Sequence, residues 1–272
     1  MVSLRSPTLF FSCLSFITVF LLIEANDNTN SKPPTPKKFL AANWKNALQT
    51  PTTIDTLVDD LNHLYSTTLT PHQTSTVQLC VNPPHVFLDR VRQRLHPSIA
   101  VGAQNLYDST GPNRDNTGSV TPTALAGLGV TYVLLGHSDR RNGLGEDDRL
   151  IADKVRLALE AGLEVILTIG ELGWQRRFGL ALRTLRKQLA AAAKSIPGDG
   201  GWDKIIVAYE PVWSVGEGAT PCSPSEAQRV NAFLRRWVRK NVGERAAESV
   251  RLTYTGSVNE GNAESYAGLE DV

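Results

Sequence analysis

Along most of the chain, short runs of consecutive apolar residues alternate with longer stretches whose apolar positions recur at helical spacing. Seven such runs predict strands: FLAANWK (39–45), VQLCVN (77–82), IAVGAQN (99–105), TYVLLGH (131–137), EVILTIG (164–170), KIIVAYE (204–210) and VRLTYTG (250–256). Between and after them, 52–66, 85–95, 122–128, 146–161, 175–194, 224–240 and 260–268 predict helices, several opened by Pro or Ser/Thr. Strand–helix alternation predicts a parallel α/β sheet, and runs apolar on both faces predict that both sides of it are covered. A doubly wound open sheet and a closed barrel both satisfy that pattern.

The first 38 residues depart from it. LFFSCLSFITVFLLI (9–23) follows Arg5 and has the layout of a secretory signal peptide, short for a membrane span. Removal near Ala25 is expected, with a retained signal anchor as the alternative; a buried helix would show polar positions at helical spacing, and this stretch has almost none. Residues 26–38, NDNTNSKPPTPKK, cannot bury a core and predict a flexible linker. The organisation is therefore a leader (1–25), a linker (26–38) and a folded unit (39–272). The leader implies the secretory pathway or an extracellular location, and a cytoplasmic one if it is a gene-model artefact.

Composition acts mainly by exclusion. The 272 residues, 41% hydrophobic, suffice for a sizeable core. A balance of 28 Lys+Arg against 27 Asp+Glu, without long single-sign blocks, leaves no footprint for nucleic acid or an acidic membrane. Cys13, Cys80 and Cys222 show neither CxxC nor Cys/His spacing, which argues against a disulfide framework and a structural zinc.

Chemically useful side chains gather at the C-terminal ends of the runs: Asn43 and Lys45, Asn82, Gln104 and Asn105, His137, Glu171, Glu210, Ser257. A closed barrel brings all those ends to one mouth, whereas an open sheet collects only those beside its switch point. The barrel accounts for more of them. No GxGxxG follows the first run, so dinucleotide binding has no motif behind it.

Three segments closely resemble triosephosphate isomerases: AANWK (41–45), LGHSDRR (135–141) and AYEPVW (208–213). YTGSV (254–258) resembles the family less closely, and AQN (103–105), IGE (169–171) and SVGEG (214–218) fall in family order. The resemblance covers roughly residues 39–272 and implies a (β/α)8 barrel. Seven strand–helix units are visible; the family continues after YAGLEDV with an eighth strand, a Gly-Gly loop and a last helix, so the expectation is a barrel lacking its eighth unit.

The residues themselves suggest roles. Glu210 ends an apolar strand before Pro211 and a loop with two glycines, a place that suits a general base. His137 precedes Ser138 and Asp139, which can start a short helix, and an imidazole at a helix N-terminus is biased against positive charge. Lys45 stands two residues beyond Asn43, on the same face if the strand continues. The resemblance implies Glu210 as base and His137 as neutral electrophile, triosephosphate isomerase being itself a worked case of that pairing in a loop-closed site. It further implies that Lys45 supplies charge to the phosphate and enediolate, that Asn43 bonds a substrate oxygen, and that Gly216 and Ser257 hold the phosphate. Ser138, Asp139, Gly170 and Glu171 would support them. Glu146 either orders this shell through Arg140 and Arg141 or is a solvated helix start, and His63, His72, His85 and His96 are expected to be structural.

Several positions differ from the family. Asp139 replaces a glutamate and is one methylene shorter, hence expected to reach Lys45 less well. Thr255-Gly256 replaces a double glycine, predicting strain. Pro221 and Pro224 are expected to stiffen the far hinge of the loop, and the long third-strand loop (106–120) has Ser119 where glutamate is usual. The resemblance implies interconversion of dihydroxyacetone phosphate and D-glyceraldehyde 3-phosphate through an enediol, by a homodimer, with no metal or organic cofactor. The altered loops leave open a four-carbon sugar phosphate of the erythrulose phosphate type. The leader and the missing end leave open an inactive secreted barrel that acts as a binding protein.

Overall fold

Parallel strands succeed one another in chain order, each hydrogen-bonded to the next, in a computed structural model that describes residues 2–3, 37–107, 117–216, 218–259 and 261–272. The strands are β1 (Val2–Ser3), β2 (Lys38–Asn43), β3 (Val77–Asn82), β4 (Ala100–Ala103), β5 (Tyr132–Leu135), β6 (Glu164–Ile169), β7 (Ile205–Tyr209) and β8 (Arg251–Tyr254). Strands β2 to β8 correspond to the seven predicted runs and curl into a nearly closed barrel. The Cα atoms of β8 come within 8 Å of those of β2, and Lys38 Nζ donates to Ala267 O at 3.2 Å across the seam. On that same edge, opposite β3, the C-terminal end of β2 pairs with β1, Val2 beside Ala42 and Ser3 beside Asn43. The apolar core of the expected leader, nearly all of the linker and residues 108–116 of the long third-strand loop lie outside the described residues.

Side-chain alternation divides the core into two layers. On β7, Ile205, Val207 and Tyr209 join the large cluster beneath the helices, whereas Ile206 and Ala208 join a smaller one. Ala41, Cys80, Ala100, Tyr132, Leu134 and Ile166 complete the smaller cluster, which fills the barrel interior. Complete burial along these strands explains why their sequences read as continuous apolar runs.

The helices are α1 (Pro51–Thr67), α2 (Pro71–Thr76), α3 (Leu88–Arg94), α4 (Pro122–Gly127), α5 (Ser138–Gly143), α6 (Asp148–Glu160), α7 (Gly173–Arg177), α8 (Ala181–Ala193), α9 (Pro224–Asn241), α10 (Glu244–Ser249) and α11 (Ala263–Ala267). Thr50, Thr121 and Ser223 cap α1, α4 and α9 ahead of a proline in the first turn. The single helix predicted over 175–194 is two helices, broken where Gly179 adopts a φ of 70°. Helix α2 escaped the periodicity, being too short to show it, although Thr70 and Gln73 form a capping box at its start.

Candidate active site

The alternation that sends Ile206 and Ala208 inward also directs Glu210 inward, one residue past the end of β7. Its side chain is 2% exposed. One oxygen accepts from the Ser138 N–H at 2.8 Å and the other lies 3.0 Å from His137 Nε2. A Cβ at Gly170 would sit 1.7 Å from Glu210 O, so only glycine allows β6 to end this close to the turn that bears Glu210. Gln188 of α8 holds Gly170 there, accepting from its N–H at 2.9 Å and donating to its carbonyl at 3.0 Å.

His137 is turned into the mouth by Gly136, whose φ of 77° breaks the alternation of β5. The ring caps α5: Nδ1 accepts from the Asp139 N–H at 3.1 Å. That bond makes Nδ1 an acceptor and leaves the proton on Nε2, the nitrogen facing Glu210, which is the neutral tautomer. The Asp139 carboxylate, 3.6 Å from Nδ1, is beyond hydrogen-bond reach.

Lys45 reaches the mouth by a different route from the expected one. Strand β2 ends at Asn43, and Lys45 has a φ of 47°, the only non-glycine left-handed residue among those described. Strand alternation therefore does not place it. The strained turn is held by the Asn43 side chain, which accepts from Lys45 N–H at 3.0 Å, and by Gln104 Nε2, which donates to Lys45 O at 2.6 Å. Lys45 Nζ meets Asp139 Oδ2 at 2.9 Å. The shorter aspartate thus does reach the lysine, because the turned backbone carries Lys45 towards α5.

The strand-end loops lean on a second set of bonds. Trp213 Nε1 donates to Glu171 at 2.7 Å and Tyr209 OH to the same oxygen at 3.1 Å. Burial pushes the Glu171 carboxyl above its usual range, against the opposing effect of these bonds. Ser257 Oγ donates to Ser214 O at 2.9 Å, bringing the loop after β8 against the loop that holds Gly216, whose φ is 124°. Thr255 is not in the left-handed region, so the expected strain does not arise. Glycine is needed at Gly256 for another reason: a Cβ there would lie 2.4 Å from the Tyr254 hydroxyl. That hydroxyl accepts from Cys222 N–H at 3.2 Å at the far end of the loop.

Glu146 resolves as the ordering group and not as a solvated helix start. Its Oε1 accepts from Lys154 at 2.6 Å and Arg140 Nε at 2.7 Å, and Lys154 also donates to Asn105 Oδ1 at 3.1 Å. Burial alone would raise the Glu146 carboxyl, but the bonds and charges of Lys154 and Arg140 outweigh it and hold it below 4.5. Lys154 was missed in the sequence; the signal was a lysine on the apolar stripe of an amphipathic helix, beside Ile151, Val155 and Ala158. His85 is tied to Asn105 O at 2.9 Å, a structural position as expected. Among the described residues no group of three His, Cys, Asp or Glu side chains can hold a metal ion.

A carboxylate, an imidazole and an ammonium meet at the C-terminal mouth of a parallel barrel, the face at which β/α-barrel enzymes carry their active sites. The triosephosphate isomerase family model matches residues 38–272, and the chain belongs to that family. It is 39% identical over 217 residues to a triosephosphate isomerase of Neurospora crassa, covering 79% of this chain and 82% of the relative. It is 40% identical over 236 residues to a chloroplastic triosephosphate isomerase of Arabidopsis thaliana, covering 87% and 70%. A chloroplastic triosephosphate isomerase of Fragaria ananassa is 40% identical over 238 residues, covering 88% and 71%.

Proposed function

We propose that the chain interconverts dihydroxyacetone phosphate and D-glyceraldehyde 3-phosphate by proton transfer through an enediol. Glu210 removes the proton from one carbon and returns it to the next. His137 gives its Nε2 proton to the carbonyl oxygen on which charge develops and takes one back from the neighbouring hydroxyl, so that a proton moves between the two oxygens as Glu210 moves one between the carbons, and Lys45 adds positive charge beside them. Asn43 bonds a substrate oxygen, while backbone N–H groups at Gly216 and Ser257 take the phosphate.

The observation that carries this reading is the 3.0 Å contact between Glu210 and a His137 ring whose other nitrogen is committed to Asp139 N–H. A neutral imidazole at that point can pass its Nε2 proton to one substrate oxygen and recover one from the other, and the partners of Glu210 are donors that a substrate can replace. The decisive experiment is turnover of the purified chain in deuterated water with three- and four-carbon ketose phosphates. Turnover of the triose, with solvent deuterium entering the carbon next to the carbonyl, is expected. A preference for the tetrulose phosphate would reassign the substrate, and no turnover of either would favour the inactive barrel.

The same reading includes a homodimer. It is supported by Val86, 83% exposed, and Tyr107, on loops joined through the His85–Asn105 contact. Sedimentation velocity at micromolar concentration is expected to give twice the chain mass. The leader is taken to direct secretion and to be cleaved, which N-terminal sequencing of the mature protein checks.

A further inference from the structure

We propose that the face formed by α7 and α8 docks on an anionic phospholipid bilayer. From Leu172 to Gly198 the chain carries Arg176, Arg177, Arg183, Arg186, Lys187 and Lys194 and not one acidic residue. Whole-chain charge balance, which predicts no affinity for an acidic membrane, averages this segment away.

The fold turns the segment into a stripe. On α8, Leu185, Leu189 and Ala192 are buried, and the opposite side carries Arg183, Arg186, Lys187 and, at the C-cap, Lys194, all exposed. At 1.5 Å per residue the stripe runs roughly 16 Å. Among the described residues, Arg177, Arg183, Arg186 and Lys194 have no carboxylate partner, and Lys187 has only Asp148 at 3.4 Å. Arg176 is otherwise committed, bonded to Glu226 at 2.8 Å and stacked over Trp213.

At the head of the stripe stand two aromatic side chains with nothing covering them. Trp174 is 55% exposed and Phe178 72%, and their spacing of four residues places them on one side of α7. Single exposed apolar residues need no explanation, but an adjacent pair beside four unpaired cations is a different surface. Cations that reach phosphate headgroups and aromatic rings that enter the interfacial layer are the two elements of interfacial binding. An acidic polypeptide would satisfy the cations and leave the rings without a purpose. Since α7 opens two residues after Glu171, docking would turn this side of the barrel mouth towards the bilayer.

The test is sedimentation of the full chain with phosphatidylcholine vesicles and with vesicles containing about one-third phosphatidylserine, compared at low salt and about 1 M salt. Arg5 and the linker lysines also respond to lipid charge, so the reference for the stripe is a variant that removes charge from the stripe and keeps the whole leader and linker. Excess partitioning onto anionic vesicles, abolished by salt, is expected. Arg183→Gln/Arg186→Gln/Lys194→Gln should lower that excess roughly a hundredfold, and Trp174→Ser/Phe178→Ser about tenfold. Triose turnover without vesicles should stay within about twofold in both variants, which shows that they are folded. Equal partitioning onto the two vesicles would overturn the proposal. So would a loss in the charge variant alone, or capture by polyglutamate without capture by vesicles, since either assigns the stripe to an acidic macromolecule.

Discussion

At the barrel mouth Glu210 divides its partners, one for each oxygen, whereas at Glu146 a single oxygen receives Lys154, Arg140 and Asn105 and the other, also buried, receives none. Both carboxylates are excluded from water. The partners of Glu210 are a backbone N–H and a neutral ring, and a substrate oxygen or carbon-bound proton can take the place of either. Those of Glu146 are an ammonium, a guanidinium and the Asn105 amide, and leaving them would strand two buried charges, the carboxylate and the Lys154 ammonium, in a poorly solvating interior. Exchangeable partners suit chemistry; cationic partners fixed on separate elements suit a joint between α5, α6 and the loop after β4.

That contrast is broken most severely at Glu210. Glu210→Gln keeps the shape and most of the hydrogen bonding but removes the proposed base, so turnover should fall about a thousandfold while the melting temperature stays within a few degrees of wild type. Steady-state kinetics beside a thermal melt separates the two quantities. A variant that loses its fold along with its activity would make Glu210 a structural carboxylate like Glu146.

The converse change is Lys154→Met. The ammonium is 1% exposed and burial already pulls it below 10.5. Its removal leaves Glu146 with only Arg140 and the Asn105 amide, and about 3 kcal/mol of stability should be lost. Denaturant titration measures that loss. Turnover per folded molecule should change by no more than about threefold, because no atom of Lys154 reaches the mouth; a hundredfold decline would join the two centres into one.

The unequal legibility of these two centres in the sequence has a physical cause. Strand ends carry their chemistry in order, and parallel topology brings ends to one mouth, so Glu210 and Asn43 could be located from period-2 alternation, and His137 only from its place at the end of a run, since Gly136 breaks the alternation before it. Lys45 was placed in the mouth by strand alternation, which is not what puts it there, because a left-handed φ on a lysine leaves no trace in periodicity. Lys154 and Gln188 went unnoticed since their partners lie 8 and 18 residues away and a helical pattern registers them only as polar interruptions. The stripe on α8 was hidden by averaging charge over the whole chain.

Acid should distinguish the centres more gently. The Glu146 carboxyl is held below 4.5 in the folded protein, so its contribution to stability is fully present above that pH and is lost as pH falls through the folded value. Stability measured from pH 6 down to pH 3 should therefore decline more steeply in the wild type than in Glu146→Gln. Parallel curves would mean that the cluster gives Glu146 no preference for its ionised form.

The smallest effect is expected at the ion pair nearest the chemistry. Lys45 and Asp139 meet at 2.9 Å, yet the aspartate side chain is 54% exposed, and water screens a contact of that kind to about 0.5 kcal/mol. Asp139→Asn should shift the melting temperature by only a few degrees. Lys45 would keep its place, since its strained turn is held by Asn43 and Gln104 and not by the aspartate. The substrate KM should rise about two- to threefold as the ammonium samples more rotamers, with kcat nearly unchanged. Asp139→Glu should do less, the longer side chain still reaching the ammonium. A fall in kcat of a hundredfold for Asp139→Asn would instead tie the Asp139 carboxylate to the His137 ring that accepts from its backbone N–H, and the exposed ion pair would then belong with the exchangeable partners of the mouth.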